Sequence, residues 1–137
     1  MGNAVEINIA AEQIRAMRWP GSNRYVRVVW IEQELWCVAA DLCWATGLAL
    51  SSNGRPNVTE ALKTIAPKHR RFARLEVARG SFRPFTCYAL TTMVGVEEIV
   101  ERKRIQAGEV SISEGDLRAW LARSAAQTCQ MPSLKAA

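Results

Sequence analysis

The chain has 137 residues, 49% hydrophobic and 23% charged, with a formal net charge of +5. That length suits one domain with a real core, and the composition excludes a disordered chain. No apolar stretch nears the roughly 20 residues of a bilayer helix, and the opening MGNAVEINIA lacks both the basic start of a secretory signal and, with Glu6, the myristoylation pattern.

In chain order, V-E-I-N-I within residues 1–10 alternates as an added or loose strand does. Residues 12–17 fit a short helix, and Trp19-Pro20-Gly21-Ser22-Asn23 has the composition of a loop. Residues 25–31, Y-V-R-V-V-W-I, are rich in β-branched and aromatic side chains and predict a strand. Glu32-Gln33-Glu34 turns the chain into a second strand over 35–38; without Asn-Gly the turn type of this hairpin stays open. Residues 39–46 predict a helix with Leu42 and Ala45 on the face of Val38, stopped by Gly47.

Residues 51–56 form a loop, and Asn57 with Glu60 makes a capping box. The helix it opens shows Val58, Ala61, Leu62 and Ile65 on one face and ends at Pro67. Residues 71–78 and 85–90 predict a second hairpin around a loop that holds Arg79, Gly80, Phe82 and Arg83. Thr91 or Thr92 caps a helix running through Met93, Val96, Ile99 and Val100 to Arg104, broken by Gly108. Ser113 and Asp116 resemble a second capping box ahead of Leu117, Trp120 and Leu121. The class expected is α+β: a small single domain with two β-hairpins and about four helices. Its division is an N-terminal extension over 1–24, the domain over 25–124 and a tail over 125–137. Trp30, Trp36, Trp44 and Trp120 fall on its core faces.

The charge is uneven. Residues 55–83 hold eight basic and two acidic side chains, a balance of +6, so the whole excess sits there. A localised basic stripe is the footprint of a polyanion partner, with affinity that falls as salt rises. The site residues expected are Arg55, Lys63, Lys68, Arg70, Arg71, Arg74, Arg79, Phe82 and Arg83. Arginine forks suit phosphates and guanine edges. A basic hairpin tip suits a groove, and Phe82 between Arg79 and Arg83 suits base stacking or wedging. The partner is then nucleic acid, DNA first, or an acidic protein surface.

Nothing in the pattern points to catalysis, a metal or a cofactor. There is no phosphate loop, dinucleotide fingerprint, H-E-x-x-H or G-x-S-x-G, and His69 is the single histidine. Cys37, Cys43, Cys87 and Cys129 form no C-x-x-C pair and read as reduced core thiols of a cytoplasmic protein. Asp41 at a helix start is expected to cap that helix and favour its dipole. Arg102-Lys103-Arg104 fits a helix C-terminus.

Residues 26–48, V-R-V-V-W-I-E-Q-E-L-W-C-V-A-A-D-L-C-W-A-T-G-L, resemble the BRO N-terminal domain of phage antirepressors and baculovirus repeated proteins. That family opens with a strand, a turn, W-F-V-A-x-D-V, a short helix and Leu-Gly. Trp36-Cys37-Val38-Ala39-Ala40-Asp41-Leu42 stands at that place, with Gly47-Leu48 at the helix end. Leu117-Arg118-Ala119-Trp120-Leu121 resembles its F-x-x-W helix, and Met131-Pro132-Ser133-Leu134-Lys135 its closing L-P-S-I-R. The resemblance implies a BRO-like fold and a stand-alone phage- or prophage-type regulator of transcription. Such a protein binds DNA, or binds a phage repressor and frees it from its operator. The rival expectation is a viral inhibitor seated on an acidic surface of a host defence complex, such as a CRISPR effector. A homodimer is a further expectation, since readers of duplex DNA commonly use two-fold symmetry.

Overall fold

The computed structural model describes residues 7–48, 50–78, 80, 82–107 and 112–129. The class is α+β: a six-stranded mixed sheet with four helices. The strands are β1 (Asn8–Ile9), β2 (Arg15–Arg18), β3 (Tyr25–Ile31), β4 (Glu34–Val38), β5 (Arg70–Glu76) and β6 (Phe85–Thr92). The helices are α1 (Ala39–Thr46), α2 (Val58–Leu62), α3 (Met93–Ala107) and α4 (Glu114–Cys129). The sheet order is β1-β5-β6-β4-β3-β2, with β1 parallel to β5 and the other pairs antiparallel.

The two hairpins form where the sequence places them. In the first, Glu32 (φ 50°) and Gln33 (φ 67°) both take left-handed backbone, and Ile31 pairs with Glu34. That is a two-residue turn of the mirror-image type, whose twist matches the strands. The expected helix over 12–17 is not there. A 3-10 turn at Ala11–Gln13 leads instead into β2, because pairing with Val26 to Val28 outweighs the weak helical pattern of so short a segment. The stretch before Tyr25, expected as an extension, thus supplies both edge strands.

Those edges fix the shape. A flat sheet of six strands would set its edges about 24 Å apart. The connector from Ile9 to Arg15 is too short for that, since part of it is coiled at only ~2 Å per residue. The sheet therefore curls. Its inner face buries Ile9, Val29, Ile31, Val38, Leu75 and Leu90, and Ala40 of α1 packs against the same cluster. The outer face of β3 and β4 presents Val26, Val28, Leu35 and Cys37 to Leu42, Ile99, Leu117 and Trp120 of the helices.

Local signals set the helix ends. Gly47 closes α1 in left-handed backbone (φ 79°), with its N–H donating to the Cys43 carbonyl. Asn57 Oδ1 accepts from the Glu60 N–H at 3.1 Å and starts α2. That helix stops at Leu62, ahead of the expected Pro67. Ser113 Oγ accepts from the Asp116 N–H at 3.1 Å and starts α4, which runs through Cys129 and so takes in the first part of the expected tail. Gly108 and residues 131–135 lie outside the described residues.

Trp120 is fully buried. Its indole donates to the Arg18 carbonyl at 2.9 Å and meets Trp19 edge-on at 4.9 Å between centroids. Trp19, expected in a loop, is thus core. Trp44, expected in the core, is 44% exposed, because it faces outward on α1 under the Arg24 guanidinium, 4.0 Å from its ring centre.

Candidate nucleic-acid interface

The expected basic residues divide according to the two-residue period of β5. Side chains alternate between sheet faces, so Arg70, Phe72 and Arg74 share the outer face while Arg71 shares the inner face with Ala73 and Leu75. Arg70 and Arg74 are exposed. Arg71 is half-buried, its guanidinium 5.6 Å from the Trp36 ring centre. Arg71 is therefore held apart from the two arginines it was grouped with.

A groove of about 650 Å³ runs between α2 and the outer face of β5 and β6. Val58, Leu62 and Ala89 give it an apolar floor, Phe72 forms one wall, and Lys63 and Arg70 stand at its rim. A shallower hollow of about 230 Å³ continues past Pro67 along Leu62 and Phe72. Lys68 is exposed in the 3-10 turn Pro67–His69 that leads into β5.

His69 fixes that turn. Its carbonyl accepts from the Thr91 hydroxyl at 2.8 Å, and its Nδ1 shares a hydrogen bond with the Thr92 hydroxyl at 2.9 Å. The imidazole ties the start of β5 to the end of β6 and sets Lys68 and Arg70 on either side of it. This anchoring role is not legible in the sequence, because the two threonines lie more than twenty residues away.

Both carboxylates of the basic segment have partners. Glu60 pairs with Lys63 at 2.6 Å, and Glu76 Oε1 accepts from the Ala11 N–H at 2.9 Å. The first pair is solvent-exposed and worth little stability, but it offsets part of the charge of Lys63. On the outer face of β5, Arg70 and Arg74 are both exposed, with Glu76 two residues beyond Arg74.

The remaining expected residues lie elsewhere. Arg55 is exposed on the 51–55 turn, where its carbonyl accepts from the Ser51 N–H at 2.8 Å. It does not line the groove. Arg83 is exposed beside Phe82, which at 96% exposure is the most solvent-bared large apolar side chain among the described residues. Arg79 lies outside the described residues. Phe72, 54% exposed, was not singled out, although the alternation Arg70, Phe72, Arg74 was its signal.

Asp41 does not cap its own helix. It reaches back to β3 and takes both the backbone and the side chain of Arg27. Cys37 and Cys43 are buried as expected, whereas Cys87 is exposed on the outer face opposite Arg74. Burial pushes the Cys37 thiol up to about 12, with a further push from the Asp41 charge. Burial likewise raises Cys43 to about 11, against the pull of Arg102. Among the described residues no group of three or more His, Cys, Asp or Glu side chains is placed to hold a metal ion, and no helix is long and apolar enough to cross a membrane.

No family model matches the chain, and comparison with curated proteins and with solved structures returns no match.

Proposed function

We propose that the protein is a non-catalytic nucleic-acid-binding regulator of the phage antirepressor type, working in the cytoplasm, with the outer face of β5 as its contact surface. The observation that carries this reading is the pair Arg70 and Arg74, both exposed on one face of one strand. Lys68 precedes them, and Lys63 lines the same groove as Arg70. Clustered cations on a rigid strand neutralise phosphates and release counterions, which gives sequence-independent affinity and fast association. The BRO resemblance over residues 26–48 supports the same reading, and DNA is the first substrate to try.

The test is DNA binding by the whole chain across a salt series, beside an Arg70→Ala/Arg74→Ala variant. The expected result is a log-linear fall of affinity with salt, whose slope drops by about two in the variant, one for each phosphate contact removed. Absence of binding at low salt overturns the reading. The basic face would then serve an acidic protein surface, on a phage repressor or a host defence complex.

A further inference from the structure

Residues two apart on a strand stand about 6.6 Å from one another on the same face. Arg70, Phe72 and Arg74 therefore make a row of cation, ring, cation along the outside of β5. Their cross-strand neighbours are Thr91, Ala89 and Cys87. Each is smaller than an aromatic or long aliphatic side chain, so nothing directly opposite shades the Phe72 ring. Phe72 belongs to neither core cluster. It forms a wall of the α2 groove, whose floor is apolar and whose rim carries Lys63 and Arg70. A half-exposed phenylalanine that the core does not use, with a cation on each side, has the make-up of a binding platform.

The ring decides which nucleic acid fits. Bases inside a duplex are already stacked on both faces and cannot lie on a flat side chain. An unpaired base can, and stacking on an aromatic side chain tolerates any base because every base has a π-face. A strand of alternating base and phosphate matches a row of ring and cations. Arg71 and Trp36 on the opposite sheet face take no part.

We propose that the groove between α2 and the β5–β6 hairpin holds an unpaired nucleotide, its base stacked on Phe72 and the neighbouring phosphates on Arg70 and Arg74. This rests on the nucleic-acid reading above and adds the strand state and the stacking residue. The preferred ligand is single-stranded nucleic acid.

The experiment is fluorescence anisotropy with a labelled mixed-sequence oligonucleotide, single-stranded and as its duplex, using the full chain. The variants are Phe72→Leu, Phe72→Tyr and Phe82→Ala. Leucine keeps the apolar bulk and removes the flat ring; tyrosine restores the ring. Phe72 is half-exposed and outside the core, so these changes leave thermal unfolding near that of the parent chain.

The expected result is tighter binding of the single strand than of the duplex. Phe72→Leu should lose on the order of 5- to 100-fold on the single strand, with little change on the duplex and an unchanged salt slope. Phe72→Tyr and Phe82→Ala should bind like the parent. Equal affinity for the two strand states, or indifference to Phe72→Leu, overturns the inference. So does a poly-glutamate competitor whose own binding falls with Phe72→Leu, since the groove would then be an acidic-peptide site. If the parent binds neither strand state, the nucleic-acid reading itself fails. If single-strand binding depends on Arg70 and Arg74 but not on Phe72, this inference fails alone.

Discussion

Arg27 grips Asp41 three ways: Nε to Oδ2 at 2.7 Å, a terminal nitrogen to Oδ1 at 2.9 Å, and the backbone N–H to Oδ2 at 3.0 Å. The guanidinium also lies 4.3 Å from the Tyr88 ring centre. One carboxylate thus ties the first turn of α1 to β3, and the arginine carries the tie on to β6. The carboxylate holds the arginine charge still more firmly than usual, working against its partial burial.

Asp41→Ala should therefore lower stability by about 2–4 kcal/mol, read from urea unfolding. It strands a half-buried guanidinium and removes charge-assisted hydrogen bonds. Asp41→Asn keeps the size and one acceptor and should lose less. A double variant, Arg27→Met/Asp41→Ala, should recover part of the loss, because no unpartnered charge is then left. A loss confined to a few tenths of a kcal/mol would mean the pair is decorative.

The first hairpin turn is built from residues poorly suited to it. Glu32 and Gln33 both hold positive φ, which costs a side-chain-bearing residue about 1 kcal/mol each. Asn-Gly is the favoured pair for this turn. Glu32→Asn/Gln33→Gly should raise stability by about 1 kcal/mol without changing the fold, as a shift of the thermal midpoint. A lower midpoint would show that a contact of Glu32 outweighs the backbone gain.

How much of this was legible depended on how local the cause was. Tyr25–Ile31, Ala39–Thr46, the Asn57 cap and the Ser113 cap all follow from neighbours within a few residues, and all stand in the structure. β2 was missed because R-A-M-R has no strong period and becomes a strand only against β3. Trp19 was read as loop because the ring that buries it, Trp120, is a hundred residues on. The basic segment was visible, but not its division. Arg70 and Arg71 part company through strand alternation, and Phe72 is exposed because α2 ends at Leu62 and leaves the outer face of β5 uncovered. Which rings a fold leaves bare is a property of the whole packing, not of any window.

Gly95, in the first turn of α3, sits against Thr91 at the end of β6. A Cβ at position 95 would lie 1.7 Å from the Thr91 hydroxyl oxygen and 2.9 Å from its Cβ. The hydroxyl cannot swing aside freely, because it donates to the His69 carbonyl. Alanine is the better helix former by about 1 kcal/mol. Overpacking here should nevertheless win, and Gly95→Ala should destabilise by about 1–3 kcal/mol. Adding Thr91→Ala should restore only part, since that change frees the His69 carbonyl and leaves the contact with the residue 91 Cβ at 2.9 Å. Equal or greater stability for Gly95→Ala in a denaturant melt would show that α3 shifts to make room.

The thiols give a prediction with a definite sign. Cys37, ordinarily ionising near 9.0, is raised to about 12 in the folded chain, and Cys43 to about 11, in each case chiefly by burial. A group raised in the folded state adds stability that is full below its unfolded value. That stability is lost as pH climbs towards the folded value, because the unfolded chain then releases the proton first. Stability should hold up to about pH 9 and then fall, by about 1.4 kcal/mol per pH unit for each buried thiol. Cys37→Ala will cost some packing at neutral pH but should show a shallower alkaline fall than the parent. In a Cys129→Ser background, a thiol reagent should label exposed Cys87 in the folded chain and reach Cys37 and Cys43 only on unfolding. Rapid labelling of all three under native conditions would mean that α1 opens readily from the sheet.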